Sequence, residues 1–258
     1  MDRLAVYLGI YNLIRKRLAT QGMALLECMI AISLALIIIS VVFNVYIGVQ
    51  KNFTIQTSLN KIQFTARQVN DILVKEIHQA GYIGCAHFSA NFPLVSYQNH
   101  DLTEVNKLVI TGHAFMVRHA SVENSELIAD MRDFSTFIVD THVPYRAGDV
   151  LMVSDCRHAE IIKVNRIHYR GGDEWIETER PLTQLFIKHA EVSRFEENYF
   201  FVQGSGLYKQ TRQGQRIKLV DGVKSMRIDQ LSAAKVLLFS LELAHEQLTK
   251  KWYIYVKV

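Results

Sequence analysis

Two cysteines, a lone carboxylate and a scatter of histidines are the residues whose types and spacing bear on chemistry. Of three cysteines, Cys28 lies in an apolar run, whereas Cys85 and Cys156 lie in the polar-patterned remainder. One pair plus one lipid-embedded thiol suits an exported protein. A Cys85–Cys156 disulfide would close a loop of about 70 residues, which loop-closure entropy values at roughly 4 kcal/mol. A metal site is the alternative, although neither a C-x-x-C pair nor regular histidine spacing accompanies these cysteines. The ten histidines, spread from His78 to His245, form no H-E-x-x-H, and no G-x-S-x-G, P-loop or G-x-G-x-x-G occurs.

Three smaller constellations remain. Asp140 and His142 would share one face of a strand, and Arg157-His158 follows Cys156. Lys250-Lys251 precedes Trp252, Tyr253 and Tyr255, a pattern on which single-stranded nucleic acid can stack. A chance pair, a solvated turn and an ordinary strand with a charged lead-in account for the three. No catalytic residue, cofactor or metal ligand is expected, and nucleic acid stays open as a partner without being indicated.

The carboxylate is Glu27, the single charge between Gly22 and Gln50. The 22 residues from Cys28 to Val49 are almost wholly apolar; at 1.5 Å per residue they span about 33 Å, the hydrocarbon thickness of a bilayer. Residues 1–22 hold Arg3, Arg15, Lys16 and Arg17 against Asp2, a net +3 of the chain's +4, which leaves +1 for the remaining 236 residues. So nearly neutral a remainder offers no general nucleic-acid surface. The basic cluster just before the apolar run predicts a cytoplasmic N-terminus and an outer location from about residue 51 onward. A cleaved secretory signal would have a shorter core and an A-x-A-like site, but Gln50-Lys51-Asn52-Phe53 follows Val49. A lipoprotein signal ending at Cys28 would place a small residue where Glu27 stands. A retained helix is left.

The positions beyond Val49 agree with it. Ile55, Leu59, Ile62, Ala66, Val69, Leu73 and Ile77 recur at steps of mostly three and four, the stripe of an amphipathic helix. No proline interrupts residues 1–92. The expected helix runs from about Leu25 to about Ala80 with Gly81 as its stop, roughly 80 Å in length. Its apolar half needs lipid or neighbouring copies of similar helices.

Gly22-Met23-Ala24-Leu25-Leu26-Glu27, behind a basic segment and before a long apolar run, resembles the class III leader junction of type IV prepilins and type II secretion pseudopilins. The resemblance implies cleavage after Gly22 by a prepilin peptidase and N-methylation of Met23. It also implies an assembly role for Glu27, whose carboxylate would pair with the N-terminal amine of a neighbouring subunit. A carboxylate alone at a bilayer centre costs about 2.5–3.5 kcal/mol and less near the edge; by position alone Glu27 could equally lie near the cytoplasmic interface and snorkel to water, whereas close pairing with an opposite charge offsets the cost of burial. The leader itself is apolar from Leu4 to Tyr11.

After Gly81 the pattern changes to short β-like runs. Strands are expected at Leu108–Thr111, Phe134–Asp140, Val150–Ser154, Ile161–Asn165, Trp175–Glu177, Tyr199–Val202, Leu207–Gln210, Met226–Leu231, Val236–Leu243 and Trp252–Val258. Turn signals stand at Ala147-Gly148-Asp149, Arg170-Gly171-Gly172-Asp173 and Gln203-Gly204-Ser205-Gly206. The expected fold class is α+β, a long N-terminal helix packed on an antiparallel sheet in a pilin-like arrangement.

The stretch from Gln79 to Cys85, Gly148 to Cys156, Tyr199-Phe200 with Gly206-Leu207-Tyr208, and Leu219 to Val223 resemble patches of PilW-type minor pilins. The resemblance implies a division into a leader (1–22), a transmembrane half-helix (23–50), a periplasmic amphipathic half-helix (51–81) and a β-rich domain (82–258). It implies a structural subunit that helps prime or cap pilus assembly, serving motility, adhesion or DNA uptake. Its partners would be other minor pilins and the major pilin, the prepilin peptidase, and inner-membrane lipid before assembly. Its location would be the inner membrane in a single pass, then the fibre or its tip. Two rivals are a type II secretion pseudopilin, which uses the same anchor, and a signal-anchored periplasmic enzyme.

Overall fold

The computed structural model describes residues 2–85, 89, 92–97, 102–103, 106–140, 142–231, 236–246 and 248–257, with side chains from Leu25 onward. His87, His100 and Val258, and the side chain of Met23, lie outside the described residues. The first element is α1, Asp2–His78. It begins before the expected Leu25, because Leu13 to Gln21 consists largely of good helix formers and contains no proline. The chain divides into two compact units, Met1–Ser58 and Leu59–Val258.

The first unit is the upstream part of α1. In the second, the last turns of α1 precede thirteen strands among the described residues. These are β1 (Leu94–Val95), β2 (Leu108–Ile110), β3 (Ala114–Glu126), β4 (Thr136–Val139), β5 (Val150–Ser154), β6 (Ala159–Arg170) and β7 (Asp173–Thr178). There follow β8 (Glu191–Gln203), β9 (Gly206–Thr211), β10 (Arg216–Asp221), β11 (Val223–Leu231), β12 (Val236–His245) and β13 (Leu248–Lys257). They form one sheet of ten strands and a second of three, β11-β12-β13. All pairings are antiparallel except that of β1 with β6. Where one sheet was expected there are two, and the α+β class holds.

The larger sheet is organised on β8. Its residues 191–193 and 198–201 pair with β3 on one side. The same residues pair with β5 and with β9, so β9 and β5 lie end to end along the opposite side. Gly171 and Gly172 both have positive φ, 69° and 96°, as the two-residue loop between β6 and β7 requires. Gly204 at φ 62° serves the β8–β9 hairpin in the same way.

The helical stripe explains how both sheets share one core. Ile62, Ala66, Val69, Leu73 and Ile77 are buried against Leu237, Phe239, Leu241, Leu243, Ile254 and Val256 of the small sheet and Phe115, Val117 and Phe200 of the large one. Ile55, expected in the stripe, is instead 39% exposed. The helix stops two residues before the expected Ala80: Gly81 adopts φ 78° and turns its N–H to the Arg118 carbonyl of β3 at 2.9 Å. A second core gathers Leu127, Phe137, Val139, Leu151, Ile176 and Phe186. A third surrounds Ile83, Met152, Ile161 and Phe195.

Phe115 is the keystone of the shared core, stacked on Phe200 at 4.7 Å between ring centroids and edge-on to Phe239 at 5.7 Å. Truncation removes these contacts and leaves a void that two sheets cannot both close. We expect Phe115→Ala to destabilise the outer unit by about 3–5 kcal/mol, measured by denaturant unfolding of the full chain in detergent.

Candidate functional site

Every residue from Leu25 to Thr57 is exposed, including Leu34, Ile37, Ile38, Ile39, Val41, Val42 and Phe43. Each such side chain left in water forgoes about 1.5–3 kcal/mol of burial. Among the described residues, this is the one helix long and apolar enough to cross a membrane. Several of its polar side chains bond to their own helix. The Ser33 hydroxyl donates to the Met29 carbonyl, and Asn44 Nδ2 to the Ser40 carbonyl at 2.9 Å. Gln50 Nε2 donates to Tyr46 Oη at 2.7 Å, and the Thr54 and Thr57 hydroxyls to the carbonyls four residues back. Such back-bonding lowers the cost of placing these groups in hydrocarbon. Glu27 differs: its carboxylate is exposed and makes no hydrogen bond or ion pair among the described residues. Beside it, Cys28 is a free, exposed thiol.

In the outer unit, Cys85 and Cys156 form a disulfide with Cα atoms 5.1 Å apart, which excludes the alternative of a metal site at these two thiols. Among the described residues no group of three His, Cys, Asp or Glu is placed to hold a metal. The bond fastens the segment that leaves α1 to the turn between β5 and β6. Asp155 shapes that turn: its Oδ1 accepts the backbone N–H of Arg157 at 3.1 Å and of His158 at 2.8 Å. Cys156 sits at φ 52°. Arg157 and His158 thus belong to a partly solvated turn, as the sequence suggested.

Gly84 is required twice over. Its φ is +92°, and a Cβ there would come within 2.2 Å of Glu191 Oε2 and 2.8 Å of Ser154 Oγ. Glu191, the first residue of β8, therefore lies directly under the disulfide arm. Burial pushes its carboxyl above the usual carboxylate range, and the charge of Glu126 adds to this; the Asn124 side chain and the Cys85 N–H, which donate to it, pull the other way. Burial, then the Glu191 charge, raises the Tyr82 phenol. The sequence carried no signal for Glu191, because its strand was expected to begin only at Tyr199.

The other marked residues are dispersed. Asp140 Oδ2 meets His142 Nδ1 at 3.0 Å at an exposed position, and Lys250 and Lys251 lie on β13. A cleft of about 580 Å³ borders Glu76, Asp149, Arg194, Glu197, Lys209 and Arg212. Its cations face its own carboxylates: Arg194 with Asp149 at 3.4 Å, Lys209 with Glu76 at 3.6 Å, and Arg212 with Glu197.

The raised carboxyl of Glu191 has a consequence for stability. The folded chain binds the proton more tightly than the unfolded one, so stability falls as pH rises from about 4.5 through the folded value. We expect Glu191→Gln to remove this loss: its melting temperature exceeds the parent's at neutral pH, and the difference closes below pH 4.5. Melting curves of both proteins across this range check it. Compared with models of protein families, with curated proteins and with solved structures, the chain has no match.

Proposed function

We propose that the chain is a minor type IV pilin of the PilW type, an inner-membrane precursor whose helix moves from lipid into the helical bundle of a pilus. The observation that carries the reading is the helix around Glu27. It exposes a continuous apolar surface, keeps several of its polar side chains hydrogen-bonded to itself, and leaves one carboxylate near the leader junction Gly22-Met23. A lone anchor needs only the apolar surface. A buried carboxylate is tolerated where an opposite charge is brought to it, and the freed α-amine of Met23 on a neighbouring copy is such a charge. The outer unit, an antiparallel α+β body with its first segment fastened by a disulfide, suits a folded head displayed outside the inner membrane. In this reading the protein works by assembly with major and minor pilins, helping to prime or cap the fibre, and not by catalysis.

Mass spectrometry of the mature N-terminus is the decisive test. In cells with an active prepilin peptidase we expect the purified protein to begin at Met23, N-methylated. A protein that still begins at Met1 in such cells refutes the proposal. We further expect Glu27→Ala to insert in the membrane normally yet to reduce surface piliation, scored by electron microscopy and by membrane fractionation of the same cells; undiminished piliation would count against pairing through Glu27.

A further inference from the structure

The two sheets treat their edges unequally. In the larger sheet β1, β2 and β4 are only two, three and four residues long, and β10 carries a bulge between Lys218 and Val220. In the smaller sheet β11 is bulged between Val223 and Ser225, and its Ile228 N–H reaches the Gly112 carbonyl. Shortness, bulges and cover are three devices by which sheets avoid pairing with other chains, and charge on the edge is a fourth. β13 has none of the first three and relies on the fourth, through Lys250, Lys251 and Lys257. It pairs with β12 in unbroken register from His245↔Leu248 to Val236↔Lys257, contains no proline, and no described residue outside that ladder makes a backbone hydrogen bond to it.

We propose that the outer edge of β13 receives an extended segment of a partner protein as an added strand, and that this segment carries acidic residues at both ends of a short apolar stretch. The side chains along the edge specify that chemistry. Alternation puts Lys251, Tyr253, Tyr255 and Lys257 on one face of the strand, with the two tyrosines 54% and 65% exposed. Ile254 and Val256 point the other way into the core under the helix. Residues directly opposite in a sheet interact through their side chains: aromatic with β-branched, lysine with carboxylate. The matching strand reads acid-x-apolar-x-apolar-x-acid. A second copy of this chain does not meet that requirement: the two-fold register that sets Tyr253 against Tyr255 also sets Lys251 against Lys257, like charge on like charge. Lysine on the edge therefore disfavours that self-pairing, and β13, which contains no Asp or Glu, cannot offer a second copy the carboxylates that an acidic partner brings. Main-chain bonds supply the affinity and alternate side chains the selectivity, as in other strand additions. The inference stands apart from the pilin reading, since it uses only the outer unit.

The test uses the full chain in detergent and three fluorescent heptapeptides, titrated to millimolar concentration by anisotropy. The first has glutamate at both ends, valine at its third and fifth positions and threonine elsewhere. The second replaces both glutamates by lysine. The third is the first with alternate amides N-methylated, so that one edge lacks donors. We expect the first to bind, the second to bind about tenfold or more weakly as two like-charge pairs replace two opposite ones, and the third not to bind. In Lys251→Glu/Lys257→Glu, both exposed positions, the preference between the first two peptides reverses. Absence of binding by the first peptide, equal binding by the methylated peptide, or an unchanged preference in the double variant overturns the proposal. So does self-association of the parent chain that the double variant abolishes.

Discussion

The structure depends on one helix meeting two different solvents. Upstream of Ser58 the apolar side chains face outward all around; from Ile62 to Ile77 they narrow to a single stripe that two sheets cover. The stripe is a surface against which the ten-stranded and three-stranded sheets both pack, through Phe115 and Phe200 of the one and Phe239 of the other. The same periodicity that makes an amphipathic helix thus closes the outer core. Where the stripe widens to the full circumference, from Leu25 to Thr57, the apolar side chains are exposed, and their burial would lower the free energy.

The disulfide belongs to the same problem of joining. A chain leaving a helix at Gly81 has no partner of its own until it reaches a sheet. The Gly81 N–H and the Tyr82 carbonyl pair with Arg118 and Ala120 of β3, and four residues on, Cys85 is bonded to the β5–β6 turn. Holding this arm close to the sheet forces Glu191 beneath Gly84, where any side chain on the glycine would collide with it. A raised carboxyl under a covalent staple is what close packing of that arm entails.

Much of this was legible in the residues because the signals were periodic or exclusive. The stripe at three- and four-residue steps gave the buried face of α1 almost position by position, and two cysteines outside the apolar run gave the disulfide. Val150–Ser154 appears as expected, and the Gly171-Gly172 pair marks a tight hairpin. What was not legible lacked such a signal. β3, the longest partner of β8, was missed because Arg118, His119, Ser121, Glu123, Asn124 and Ser125 break its alternation. Several of these face inward: His119 and Ser125 are buried, and Arg118 is held by Glu197 at 2.7 Å. A strand whose core face holds paired polar groups looks, to hydrophobic pattern alone, like a loop. β10 was missed for the opposite reason: an edge strand with one buried residue has little pattern to show. The division into two sheets was hidden because strands of both alternate in the same way.

Ser33 and Asn44 have a bearing on how the apolar helix can move. Their donors are committed to carbonyls one turn back on the same helix. Spinning the rod about its own axis, or sliding it past a neighbour, breaks neither bond. Such a surface is rotationally degenerate: one azimuth is nearly as good as another. A preferred orientation in an apolar surrounding then falls chiefly to the single charged side chain between Gly22 and Gln50, the Glu27 carboxylate, which acts as a compass needle on a cylinder otherwise almost without marks.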